Sequence, residues 1–177
     1  MRLSPRPWPR PGAAAVEFAV ILPVLMIFLL GTWELGRLVQ VYAIMSHAAR
    51  EGARIAAQGQ VINTTGSYTQ IQKATGTPSV TSAVQNYLTG AGIDTTGLTV
   101  DFTFLDTGGN PVSSPTQPYQ GTKGQRFRVT AYLPYTSFRV SKTNLLNITG
   151  VQVSVDWVSM IDDPFQVNTT MPSWDPY

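Results

Sequence analysis

The chain has 177 residues, and 12% of them are charged, about half the ~25% usual for soluble globular proteins. It has no cysteine, which excludes disulfides, thiolate metal sites and a thiol nucleophile, and its one histidine is too few for the usual zinc sites. Three of the twelve Lys/Arg (Arg2, Arg6 and Arg10) precede residue 12, leaving nine basic against ten acidic residues, so no basic field points to nucleic acid.

Residues 13–33 form an apolar run with a single ionisable side chain, Glu17. As a helix at ~1.5 Å per residue the run spans roughly 32 Å, about the thickness of a bilayer core. The positive-inside rule then puts Arg2, Arg6 and Arg10 in the cytoplasm and everything after Trp33 outside, with Trp33 in the interfacial belt. Pro23 removes one backbone hydrogen bond, which neighbouring helices can compensate in a membrane. A carboxylate in lipid calls for a reason. Three readings compete for this segment. A cleaved secretory signal has a shorter apolar core and an A-x-A-like site, which Leu30-Gly31-Thr32-Trp33-Glu34 does not offer. A plain single-pass anchor explains the length and the arginines but not Glu17. A prepilin-type signal explains all three.

The run from Arg10 and Pro11 through Gly12-Ala13-Ala14-Ala15-Val16-Glu17-Phe18 to Pro23 resembles the N-terminus of the TadE-like family, the pseudopilins or minor pilins of the bacterial Tad/Flp pilus system. Trp33-Glu34-Leu35-Gly36-Arg37 and Ala48-Ala49-Arg50-Glu51-Gly52-Ala53-Arg54 resemble it too, so the likeness covers roughly residues 10–58. The resemblance implies cleavage between Gly12 and Ala13 by a membrane-embedded prepilin peptidase, with Glu17 becoming the fifth residue of the mature chain and Phe18 the sixth. It also implies that Glu17 neutralises the terminal amine of a neighbouring subunit, a suitable partner for a buried charge. The competing reading is that Glu17 snorkels to the cytoplasmic interface. The implied partners are the prepilin peptidase, other pilin and pseudopilin subunits, an inner-membrane assembly platform and the lipid bilayer. The implied location is the bacterial inner membrane, with the C-terminal domain periplasmic or extracellular.

Helical periodicity continues past Trp33 through Leu35, Leu38, Val39, Tyr42, Met45, Ala49, Gly52 and Ile55/Ala56, predicting one helix over 13–57 that stops at Gln58-Gly59-Gln60. Its outer half is rich in small residues, which suits packing under a sheet or against other helices. Arg37, Arg50 and Arg54 read as a stripe facing solvent or headgroups. Residues 59–78 read as a loop. Ser79 is placed to cap a short helix over 79–88, closed by Gly90 and Gly92. Strands are expected at 98–105, 126–133 and 151–160 from their period-two alternation, with a turn at 108–111, a long loop over 111–124 and an irregular tail from Asp162. The expected fold is α+β and pilin-like: a leader over 1–12, a transmembrane and extended helix over 13–58, and a head over 59–177 with an antiparallel sheet covered by the helix.

No catalytic constellation, metal site or cofactor motif emerges. His47 lies on the anchor helix, out of reach of a serine in the head. Asp162-Asp163 is read as solvated rather than as a cation site. Tyr119, Tyr132, Tyr135 and Trp157 are either sheet core or a binding surface. The leading expectation is therefore an assembly protein, a minor pilin, and not an enzyme. The alternatives are an uncleaved membrane-anchored binding module and an exported protein of unrecognised activity.

Overall fold

The computed structural model describes residues 11–62, 66–139 and 148–161. Arg2, Arg6, Arg10 and Asp162-Asp163 lie outside them. α1 runs from Pro11 to Gln58, 48 residues with Pro23 inside, or about 72 Å at ~1.5 Å per residue. Proline suits the first helical turn, where its missing N–H has no partner to lose. At the other end Gly59 adopts a positive φ of 67°, and its N–H bonds the Ala56 carbonyl at 3.2 Å. A Cβ at Gly59 would also sit 2.3 Å from Ile161 Cδ1, but it is the positive φ of the turn that calls for glycine.

The segment after α1 departs from the expected loop. Two short strands, β1 (Gln60–Ile62) and β2 (Tyr68–Gln70), pair antiparallel with Val61 opposite Thr69. They are three residues each, too short to show the alternation by which a strand is recognised. The Ile71 N–H anchors the hairpin to the Gly59 carbonyl at 2.8 Å. α2 follows at Val80–Gly90, with Ser79 as the expected N-cap: its side chain accepts from Ser82 N, and Ser82 answers with the reciprocal bond of a capping box.

The main sheet is antiparallel in the order β3-β4-β5: β3 (Thr99–Phe104), β4 (Arg126–Pro134) and β5 (Gly150–Val158). Each lies within about two residues of its expected bounds. β4 is central and alternates: Phe127, Val129, Ala131 and Leu133 are buried, while the residues between them are exposed or half-buried. In register, Phe102 faces Val129, and Ala131 faces Val153. The outer half of α1 covers the inner face of the sheet, and α2 packs beside it. Val41, Met45, Ala48 and Ala49 of α1 meet Val84 and Leu88 of α2 with Ala131, Leu133, Val151 and Val153 of the sheet. A second cluster joins Ala53, Ala56 and Ala57 to Ile71, Val80 and the rings of Phe102, Phe104 and Phe127, with Phe102 and Phe104 edge-to-face at 4.9 Å. The two helices approach closely at Gly52, where a Cβ would lie 2.7 Å from Val84 Cγ2. Most of the small residues in the outer half thus serve packing within the chain.

Candidate functional site

No described residue of the head lies over the inner part of α1. Every residue from Ala14 to Leu30 is exposed, including Phe18 at 60% and Phe28 at 76%. The helical stretch Ala14–Gln58 is long and apolar enough to cross a membrane, and its most apolar window is entirely unburied. Bare apolar surface of this extent is unfavourable in water at about 25 cal/mol per Å2 and neutral in lipid or against other helices.

Glu17 stands exposed in this apolar stretch, one helical turn beyond Ala13. Among the described residues no hydrogen bond or ion pair reaches it. The adjacent Phe18 lies on the same uncovered segment. Gly12 is also exposed, and a Cβ there would meet no atom within 4 Å, so packing among the described residues does not call for glycine at that position. The peptide between Gly12 and Ala13 lies in the first turn of α1, which begins two residues earlier than expected.

A second carboxylate, Glu34, marks the point where the bare helix becomes a covered one. It is 3% exposed and accepts a hydrogen bond from the Tyr135 hydroxyl. Tyr135 opens a 3-10 turn, Tyr135–Ser137, directly after β4. Its ring is buried edge-to-face against Phe138 at 5.2 Å. Burial, and then the bond to Glu34, push the Tyr135 phenol up to about 12, so it stays a neutral donor. This contact fixes the head to the helix at the boundary of the apolar span. Sequence reading assigned Glu34 no role; the available signal was a carboxylate one residue past an interfacial tryptophan, where protein and headgroups compete for it.

The other candidates scatter. Tyr135 is core, Trp157 packs against the second cluster, and Tyr132 lies half-buried on β4 with its hydroxyl 3.3 Å from the Thr149 carbonyl, so the aromatic residues do not share one surface. His47 is exposed on α1. Among the arginines of the stripe, Arg54 is held by Glu51 at 2.6 Å and Arg37 donates to Gln40 at 3.1 Å. Among the described residues no group of three or more His, Asp or Glu is placed to hold a metal ion.

Residues 12–54 match the model of the family described as TadE-like protein, a span that contains Gly12, Glu17 and Glu34. No curated protein and no solved structure matches the chain.

Proposed function

We propose that this chain is a minor pilin, or pseudopilin, that takes part in assembly of a Tad/Flp-type pilus. The TadE-like match supports association with a Tad pilus, and the bare apolar helix supports a single-pass membrane protein. The observation that carries the finer reading is the unpaired carboxylate of Glu17 on an uncovered helix, five residues beyond Gly12. In this reading residues 1–12 are a cytoplasmic leader, 13–58 the membrane and assembly helix, and 59–177 the head on the periplasmic side of the bacterial inner membrane. A prepilin peptidase removes the leader after Gly12. The absence of any packing reason for glycine there fits a demand from outside the chain, since a residue without a side chain lets a protease approach the backbone. The new terminus at Ala13 leaves an α-amine at the membrane boundary. Glu17 of one subunit pairs with the amine of the next as the helices move from lipid into a bundle on the assembly platform. No catalytic role is proposed for the head.

The helical continuation through Pro11 and Gly12 favours a second reading, an uncleaved single-pass anchor carrying a binding head. Intact-mass measurement of the chain purified from its native membrane separates the two. A start at Ala13 is expected, and a start at Met1 removes the prepilin reading. Glu17→Ala should then insert normally but reduce piliation severely; unchanged piliation in that variant rules out the pairing role.

A further inference from the structure

Beside the Glu34–Tyr135 contact, Trp33, Arg37 and Gln40 of α1 face Phe138 and Arg139 of the head across an open groove of about 540 Å3. We propose that this groove seats the phosphodiester headgroup of an anionic phospholipid at the membrane surface nearest the head. The inference rests on the reading that α1 crosses the bilayer, and on three further observations.

The first is depth. Trp33 ends the apolar run and is 64% exposed, the position an interfacial tryptophan takes. Arg37 lies one turn further, about 6 Å along the axis. The polar layer outside the hydrocarbon core is about 5–7 Å thick on each side, so Arg37 falls at the level of lipid phosphates. The second is charge. Two guanidinium groups from elements distant in sequence line one groove. Each has five N–H donors, so the Arg37 bond to Gln40 leaves donors for a phosphate, and a forked guanidinium fits phosphate oxygens in pairs. The third is pre-organisation. Tyr135 is tied to Glu34 and packed edge-to-face against Phe138, and the Arg139 N–H bonds the Tyr135 carbonyl at 3.0 Å. Arg139 is therefore held at the depth of Arg37 before any lipid arrives. A phosphate here would link head and helix from outside as Glu34 and Tyr135 link them from within.

The test uses the full chain in nanodiscs of phosphatidylcholine with or without phosphatidylglycerol. Native mass spectrometry should show selective retention of phosphatidylglycerol. Arg37→Gln and Arg139→Gln should each weaken that selectivity about fivefold, and the pair should abolish it. Arg50→Gln, an exposed cation about 20 Å further along α1, should leave it unchanged. Selectivity that survives the double substitution overturns the proposal. A second readout needs no variant: hydrogen exchange at 135–139 in the unmodified chain should slow when phosphatidylglycerol is present, and unchanged exchange counts against the site. If inorganic phosphate added to phosphatidylcholine discs slows exchange equally, the groove is a free-anion site and the lipid assignment fails. A chain that does not insert into discs defeats the membrane-spanning reading itself, whereas one that inserts without lipid preference defeats only this inference.

Discussion

Along residues 14–30 α1 carries bulky apolar side chains that no other part of the described chain covers, whereas from Glu34 to Ala57 the same helix presents a buried stripe, mostly alanine and glycine, to its own head. Each half holds one uncharacteristic carboxylate. Glu17 is exposed without a partner among the described residues; Glu34 is buried and hydrogen-bonded to Tyr135. The difference lies in what completes each half. Small residues let backbone and sheet approach, so the outer half is satisfied within the monomer. Large apolar residues without a covering element are satisfied only by lipid or other helices. Composition along one helix thus divides the part that the monomer covers from the part that lipid or other helices must cover.

The largest expected effect comes from breaking that division at the glycine where α1 meets α2. Gly52→Leu puts a branched side chain where even a Cβ would lie 2.7 Å from Val84 Cγ2. Overpacking of this kind costs about 1–3 kcal/mol, and denaturant unfolding of the detergent-solubilised chain should show a loss in the upper part of that range. The matched substitution in the inner half, Gly31→Leu, is made where a Cβ would meet no atom within 4 Å and should leave the head's unfolding midpoint unchanged. An equal loss for the two would mean that the halves are not energetically separate.

A smaller effect is expected at the boundary. Tyr135→Phe keeps the ring against Phe138 but removes the hydroxyl that Glu34 accepts, leaving a buried carboxylate short of one donor. The cost should be about 1–3 kcal/mol, while Glu17→Gln should not change head stability. The pH dependence has a definite sign. The Tyr135 phenol is pushed up to about 12, above the ordinary value near 10 that it regains on unfolding. Its contribution is therefore full below about pH 10 and is lost as pH rises from there toward about 12. Tyr135→Phe should flatten that alkaline decline; a decline of the same depth in the variant would assign it to other groups.

The features legible in the sequence were those with long or strict periods. The unbroken 3- and 4-residue rhythm gave α1 to within about two residues, the alternation of Phe127, Val129, Ala131 and Leu133 gave β4, and Ser79 gave the start of α2. β1 and β2 were not legible because three-residue strands such as Gln60–Ile62 hold no period, and their pairing depends on Gly59 bringing the chain back onto α1. Of the site, Gly12, Ala13, Glu17 and Phe18 were singled out by context, and α1 carries all four in its first turns. Glu34 was missed because its meaning comes from Tyr135, a partner 101 residues away that only the tertiary fold supplies. The uses of the alanines were likewise undecided in sequence, since a small residue invites close approach without saying whose backbone arrives.

The outer face of the sheet supplies a third environment, neither lipid-facing nor packed, and with it the smallest expected effect. Arg128 and Asp156 lie directly opposite in register on β4 and β5 and make a two-point contact at 2.5 and 2.8 Å, with Arg126 3.9 Å from the same carboxylate. The Arg128 guanidinium holds the Asp156 carboxyl below its usual value, so its contribution is present above about pH 4 and is lost as pH falls through the lowered value. Both side chains are more than a third exposed, and water and salt screen such pairs. Asp156→Asn should therefore lower the melting midpoint of the head by no more than ~2 °C at low salt, and by less at high salt. A much larger fall would mean that this face is covered by a further contact and that the pair is buried there, which would add the sheet to the surfaces that the monomer alone leaves uncovered.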